Sequence, residues 1–278
     1  KPSIRYLNRT HLIESFSLGI MRLQCSANGI IVNPFTGEIL AMATVPSLDL
    51  NKYHQYPVSL QLNRVIGDMY EPGSTFKIIT MAGKLESTTK PFKEIYDCEN
   101  GKFKYHDKIF TDHEEHSNLT LSEILVYSSN IGMIKIANEI GDKNVFHFTR
   151  QFGFGSPTGI SLPGESYGIV NPLAKWSGIS GPEISIGQGI AINNLQLAMA
   201  YSAVANGGFL LKPQIIKEIQ FSDETGYFYS PEVVRRSISE ETSLKLLSML
   251  ENVISKGTGA SAGISGFYIA GKTGTAQK

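Results

Sequence analysis

Hydrophobic positions along the chain follow two different periods, and these periods divide it into predicted strands and helices. Near the N-terminus, residues 29–33 and 38–44 are short apolar and β-branched runs, separated by four residues typical of a hairpin turn. Residues 74–86 carry apolar side chains at helical spacing. They predict a buried helix with Ser74 in its first turn.

The middle of the chain is predicted to be mainly helical. Residues 87–117 are polar and aperiodic, and a long helical pattern then covers 119–141, where Gly141 is a typical helix stop. Further helices are predicted over 143–152, 193–205 and 237–257.

The last segment, residues 266–278, begins with aromatic and β-branched side chains and predicts a strand. Strands at both ends with helices between them indicate an α+β domain. We expect N- and C-terminal segments to share one antiparallel sheet.

Composition excludes several classes of protein. The chain has 278 residues, of which 41% are hydrophobic and 18% charged, so it can bury a large core and is not disordered. Lys and Arg number 25, as do Asp and Glu, so the chain lacks the basic excess of a nucleic-acid-binding protein. No apolar run approaches the ~18 residues of a membrane helix. The two cysteines, Cys25 and Cys98, predict neither a disulfide framework nor a zinc site.

Three short motifs carry candidate chemistry. They are a Ser-x-x-Lys, a Ser-x-Asn and a Lys-Thr-Gly, in that order along the chain. The first two patterns each occur by chance about once in a chain of this length. Only their order and setting make them informative. The motifs are Ser74 to Lys77, Ser128 to Asn130, and Lys272 to Gly274.

The first motif can generate a nucleophile. Residues three apart on a helix share one face, so Lys77 can reach the Ser74 hydroxyl. Lysine accepts that proton only if burial or a nearby cation lowers its pKa from ~10.4, and Lys272 can supply the cation. The Ser74 N–H at the helix start and the Thr275 N–H can form an oxyanion hole. The hydroxyls of Thr273 and Thr275 can bind a substrate carboxylate.

The chain resembles the transpeptidase domain of class B penicillin-binding proteins. The three motifs are a known set of penicillin-binding proteins and serine β-lactamases, and the longer strings NPFTGEILAMATVPSLDLN, NRVIGDMYEPGSTFK and SIGQGIAINNLQLAMAYSAVANGG add to the similarity. The string GIVNP with Trp176 and SIGQGI favours the septal, cell-division branch over the elongation branch.

The resemblance implies a peptidoglycan D,D-transpeptidase that forms cross-links through an acyl-serine and is acylated by β-lactams. It implies an α+β fold in which helices cover a five-stranded antiparallel sheet beside a helical subdomain. It needs no cofactor or metal. The implied site consists of the catalytic residues Ser74, Lys77, Ser128, Asn130 and Lys272 and the substrate-binding residues Thr273, Gly274 and Thr275.

The resemblance also implies an organisation for the parent protein. Residues 29–278 are expected to be the transpeptidase domain and residues 1–28 a lead-in to it. The family continues beyond the Lys-Thr-Gly strand, so we expect a C-terminally incomplete fragment. We expect an extracytoplasmic location, on the periplasmic side of the bacterial inner membrane, with an N-terminal anchor outside this chain. Partners would be stem peptides, β-lactams, a glycosyltransferase and division proteins, without nucleic acid and without membrane contact by the fragment.

Other functions remain open at this point. An acyl-serine hydrolase, either a β-lactamase or a D,D-carboxypeptidase, would use the same residues but deacylate with water. A penicillin-sensing or scaffold domain would turn over slowly or not at all. The polar run 105–116 contains His106, His113 and His116 and suggests a metal site, but it lacks metal-ligand spacing and a solvated loop is the better interpretation.

Overall fold

The strands pair in short antiparallel groups in this computed structural model, which describes residues 3–6, 26–87, 94–223 and 225–274. Cys25, Thr275 and most of the predicted lead-in lie outside the described residues. The strands are β1 (Ser3–Tyr6), β2 (Ala27–Val32), β3 (Ile39–Val45), β4 (Ile95–Asp97), β5 (Lys102–Tyr105), β6 (Lys108–Thr111), β7 (Asn118–Thr120), β8 (Phe209–Leu211), β9 (Ile216–Gln220), β10 (Gly226–Phe228) and β11 (Val233–Arg236).

The predicted N-terminal hairpin is confirmed as β2 and β3. The Asn33 N–H donates to the Glu38 carbonyl at 2.8 Å, and the Gly37 N–H donates to the Asn33 carbonyl at 2.9 Å. Gly37 has φ +75°, a left-handed conformation that a glycine adopts without a Cβ penalty. The turn residues therefore fix the register of the two strands.

The other strands are distributed differently from the expectation. Strands β1, β9 and β10 form a three-stranded sheet, and the remaining pairs in the described residues are β4 with β7, β5 with β6, and β8 with β11. The α+β class with antiparallel strands is confirmed, but a single five-stranded sheet is not formed within this part of the chain. The segment predicted to be polar and aperiodic, 87–117, contains strands too short to produce a clear two-residue period.

The predicted C-terminal strand is wrong for residues 267–274, which carry no strand. The Gly271 N–H donates to the Leu250 carbonyl at 3.2 Å, so this backbone rests on a helix. A strand needs a partner strand to receive its backbone hydrogen bonds. Residues 267–274 therefore do not share a sheet with the N-terminal strands, and the N-terminal strand β1 pairs with β9 instead.

Helices supply most of the core. They are α1 (Val58–Gln61), α2 (Arg64–Gly67), α3 (Lys77–Ser87), α4 (Leu121–Val126), α5 (Asn130–Ile140), α6 (Asp142–Gln151), α7 (Ser180–Ser185), α8 (Asn194–Ala205) and α9 (Glu240–Lys256). Helix α3 is central, packing against α5, α6 and α9, and its residues 77–84 are all buried. A second, smaller core lies between the β2–β3 hairpin and α8. No helix in the described ranges is long and apolar enough to cross a membrane.

The long helix predicted over 119–141 is two helices, α4 and α5. Ser128, between them, has φ +59°, which breaks the helical path. Ser129 then caps α5, because its hydroxyl accepts a hydrogen bond from the Gly132 N–H at 2.9 Å. The continuous apolar pattern hid this break, since both helices bury apolar side chains in the core.

Candidate active site

Ser74 lies in a single 3-10 turn, Gly73–Phe76, that leads directly into α3. The placement of Ser74 at the start of this helix is confirmed. Phe76 is fully buried and packs on Phe154 with ring centroids 5.1 Å apart. The Tyr201 hydroxyl donates to the Thr75 carbonyl at 2.9 Å. The turn that carries Ser74 is thus held on both sides of the serine.

The glycines of the SIGQGI segment pack against this turn. The Gly73 N–H donates to the Gly187 carbonyl at 3.1 Å, and a Cβ on Gly187 would collide with the Gly73 backbone. Gly187 also has φ +78°. The Gly189 N–H donates to the Glu71 carboxylate at 2.9 Å. The backbone of this segment therefore packs tightly against the turn that carries Ser74.

Lys77 is fully buried and points toward the Ser-x-Asn motif. Its Nζ donates to the Ser128 carbonyl at 2.5 Å and to Asn130 Oδ1 at 2.7 Å, and it lies 3.2 Å from Ser128 Oγ. Within the described residues, no hydrogen bond joins Lys77 Nζ to the Ser74 hydroxyl. The lysine therefore links the first motif to the second through three oxygen atoms.

Burial holds the pKa of Lys77 well below its ordinary value, and the nearby charge of Lys272 lowers it further. The carboxylate of Asp112 acts in the opposite direction and raises the pKa of Lys77. A lysine with a depressed pKa has a substantial neutral fraction and can accept a proton. The environment of Lys77 therefore favours the neutral amine over the ammonium form.

The Lys-Thr-Gly segment approaches the same turn from the other side. A Cβ on Gly274 would lie 2.7 Å from Thr75 Cγ2 and 3.3 Å from the Pro72 carbonyl oxygen, so a larger residue here would force the Thr75 side chain to move. Lys272 Nζ donates to the Thr273 carbonyl at 3.1 Å, and burial lowers the pKa of Lys272 to about 8. The predicted contribution of Thr275 lies outside the described residues.

Asp112 belongs to this site and was missed as a site residue from the sequence. Its carboxylate accepts hydrogen bonds from the Ser129 hydroxyl and from the Asn130 and Ile131 N–H groups. In the sequence, Asp112 lies in the polar run 105–116, where no local feature distinguishes it from Asp107. Its partners follow it by 17 to 19 residues.

The histidines of that run do not converge. Within the described residues, no three His, Cys, Asp or Glu side chains are arranged to hold a metal ion. His106 lies in the turn between β5 and β6, and the His116 ring packs on Tyr127 with centroids 4.7 Å apart. Cys98 is buried and free, and burial raises the pKa of its thiol.

Comparison with known proteins identifies relatives that cover about nine tenths of the chain. A family model described as the penicillin-binding protein transpeptidase domain matches residues 28–278. The chain is 36% identical to stage V sporulation protein D of Bacillus subtilis over 254 residues, covering 90% of this chain and 39% of that protein. It is 31% identical to the peptidoglycan D,D-transpeptidase FtsI of Escherichia coli K12, covering 91% of this chain and 41% of that protein. The chain thus spans about two fifths of the length of these relatives.

Solved structures agree with the sequence relatives. Penicillin-binding protein 3 of Mycobacterium tuberculosis, in complex with aztreonam, superimposes with a TM-score of 0.82 at 31% identity, covering 91% of this chain and 58% of that one. The transpeptidase domain of Burkholderia pseudomallei penicillin-binding protein 3 gives a TM-score of 0.78 at 28% identity, covering 92% and 70%. The α+β class expected from the sequence resemblance is confirmed by these structures.

Proposed function

Because the chain belongs to the penicillin-binding protein transpeptidase domain family, we propose that residues 29–278 form the catalytic domain of a serine-type peptidoglycan D,D-transpeptidase. The observation that carries the proposal is the buried Lys77, placed between the turn that bears Ser74 and the Ser-x-Asn motif, with Lys272 close enough to affect its charge. Acyl transfer to a serine requires a base of this kind at neutral pH.

In the acylation step, Ser74 Oγ attacks the carbonyl carbon of the penultimate D-Ala of a stem peptide. Lys77 accepts the hydroxyl proton, and the backbone N–H groups of Ser74 and Thr275 bind the developing oxyanion, as in the family. The C–N bond to the terminal D-Ala then breaks. The departing amine takes a proton relayed from Lys77 through Ser128, and an ester on Ser74 remains.

In the second step, an amine of a neighbouring stem peptide attacks this ester. Its proton returns through the same relay to Ser74 Oγ, which leaves as the free hydroxyl, and a new peptide bond joins the two stems. Asn130 orients the substrate amide. During acylation, before the terminal D-Ala departs, Thr273, Gly274 and Thr275 bind its carboxylate, because the two hydroxyls donate to carboxylate oxygens, and the Lys272 ammonium is the electrostatic partner beside them.

The same site would be acylated by β-lactams, whose strained amide occupies the place of the D-Ala–D-Ala bond. The aztreonam and ampicillin complexes of the M. tuberculosis protein support this assignment. For the parent protein we propose a septal rather than an elongation role, an extracytoplasmic location with an N-terminal membrane anchor, and a glycosyltransferase and division proteins as partners. The similarity to FtsI and to penicillin-binding protein 3 supports these proposals.

The test is the intact mass of the 278-residue chain over hours after a penicillin is added. A stable adduct equal to one penicillin is expected on the unmodified protein and not on Ser74→Ala. Ser87→Ala is the matched control, since Ser87 has a lysine three residues later but lies at the exposed end of α3. Equal labelling of Ser74→Ala would refute the assignment of Ser74 as the nucleophile. An adduct that disappears within minutes would indicate a hydrolase and not a transpeptidase.

A further inference from the structure

Asp112 joins the end of strand β6 to the start of helix α5. It follows Thr111, the last residue of β6, and its carboxylate lies at the first turn of α5. The Ser129 hydroxyl donates to Oδ2 at 2.5 Å, the Ile131 N–H donates to Oδ1 at 3.1 Å, and the Asn130 N–H donates to Oδ1 as well. A carboxylate at the N-terminus of an 11-residue helix is also stabilised by the helix dipole.

The neighbouring carbonyl of Thr111 controls the orientation of the Asn130 amide. Asn130 Nδ2 donates to this carbonyl at 2.8 Å, which leaves Oδ1 facing Lys77 Nζ at 2.7 Å. An amide turned the other way would present two N–H groups to the lysine nitrogen. The end of β6 therefore holds both the backbone and the side chain of Asn130.

Ser128 needs this support more than an ordinary residue does. Its φ of +59° lies in the left-handed region, which costs a non-glycine residue about 1 kcal/mol or more. In this conformation the Ser128 carbonyl meets Lys77 Nζ at 2.5 Å. Such a backbone persists only where its surroundings impose it. The three hydrogen bonds of Asp112 to residues 129–131 impose it from the C-terminal side.

Resting on the proposed function above, we propose that Asp112 is a positioning residue for acylation: its carboxylate fixes the Ser128–Asn130 loop so that the Ser128 carbonyl and the Asn130 amide oxygen both face Lys77. Asp112 touches none of the reacting atoms. It acts through the loop that it binds and through its charge.

The charge of Asp112 gives this role a signature that a purely structural residue lacks. The charged groups that act on Lys77 are Lys272, on the Lys-Thr-Gly segment, and Asp112, after β6. The carboxylate of Asp112 raises the pKa of Lys77, so its neutralisation lowers that pKa. In the pH profile of the acylation rate, the rate falls on the acidic side because Lys77 becomes protonated there. Neutralisation of Asp112 therefore moves this acidic limb to lower pH.

The experiment measures the rate constant of acylation by a penicillin, from pH 5 to pH 9, for the 278-residue chain and for Asp112→Asn. The substitution keeps the shape of the side chain but removes the charge and turns one acceptor atom into a donor. We expect acylation to slow by about 10- to 100-fold, the effect of a small displacement of a catalytic group, and the acidic limb to move to lower pH. Asp107→Asn, on the same hairpin and exposed, is expected to match the unmodified protein.

The proposal would be overturned if Asp112→Asn were acylated at the rate of the unmodified protein. It would also be overturned if acylation were slower but the acidic limb of the pH profile did not move, because Asp112 would then be only a helix cap. If the thermal melt shows that Asp112→Asn does not fold, Ser129→Ala carries the test, because it removes one partner of Asp112 without changing charge. An unmodified rate for Ser129→Ala would then overturn the proposal, and a slower rate would support it. A failure of the proposed function is distinguishable, because the unmodified protein would then form no Ser74 adduct.

Discussion

The side-chain nitrogen of Lys77 lies 2.7 Å from the amide oxygen of Asn130, a residue that follows it by 53 positions in the chain. Lys77 is fully buried, so the surrounding protein groups, and not contact with solvent, shift its pKa. This contact couples the proposed base to the Ser128–Asn130 loop, which we propose orients the substrate.

Replacement of Lys77 by methionine should abolish rapid acylation. Methionine keeps an unbranched apolar stem in the buried position but has no nitrogen to accept the Ser74 proton. We expect the rate constant of penicillin acylation to fall by about 10²- to 10⁴-fold, the usual contribution of a general base. Stopped-flow or gel measurements with a fluorescent penicillin would give the rate. Lys256→Met, at the exposed end of α9, is the control, and an unmodified rate for Lys77→Met would exclude Lys77 as the base.

The acylation rate should depend on pH as a bell-shaped curve. Below the pKa of Lys77 the amine is protonated and cannot accept a proton, so the rate falls on the acidic side. Burial lowers the pKa of Lys272 to about 8, so Lys272 loses its charge, and with it the binding of a substrate carboxylate, as the pH rises through about 8. We expect Lys272→Met to be slow throughout and to lack this alkaline limb. A limb near pH 8 that persists in Lys272→Met would assign it to another group.

Gly187→Ala should damage both stability and acylation. A methyl group at this position meets the Gly73 backbone, and φ +78° is strained for alanine, so we expect a loss of about 2 kcal/mol or more in the free energy of unfolding. Acylation should slow because the turn that carries Ser74 must shift. Gly29→Ala is the control, since a Cβ at Gly29 meets no atom within 4 Å. Denaturant unfolding and the acylation rate provide the two measurements, and wild-type values for Gly187→Ala would contradict the packing described here.

The buried Lys84 should matter for stability and not for chemistry. Its Nζ lies 2.7 Å from the Glu94 carboxylate and 2.6 Å from the Glu139 carboxylate, and its side chain is fully buried. Lys84→Met leaves two carboxylates without this cation, so we expect a loss of about 3–5 kcal/mol in the free energy of unfolding.

The matched control for Lys84 is Lys245→Met, in the exposed pair with Glu241 on α9. It should change the free energy of unfolding by no more than about 1 kcal/mol, because exposed ion pairs contribute little. Denaturant titrations of both variants would test the difference. Equal losses in the free energy of unfolding would mean that the contacts of Lys84 with Glu94 and Glu139 stabilise the fold no more than an exposed ion pair does.

The sequence predicted those parts of the fold that depend on neighbours along the chain. The β2–β3 hairpin was predicted correctly because its turn residues lie between two apolar runs. Helix α3 was predicted correctly because apolar side chains recur at helical spacing along residues 74–86. Family resemblance, and not periodicity, supplied the three motifs as one set.

The tertiary structure decided what depends on distant partners. Helical spacing alone could not reveal the break at Ser128, because apolar residues that become buried lie on both sides of it, in α4 and in α5. The strand expected near Lys272 requires a partner strand, and in residues 267–274 the backbone meets α9 instead. In the sequence, Asp112 does not differ from other polar loop residues, and only the fold places its carboxylate at the start of α5. The sequence by itself determined which residues could do the chemistry, and only the packing of remote segments decided that Lys77 is buried against Ser128 and Asn130, because burial and charge are properties of all the surrounding segments together.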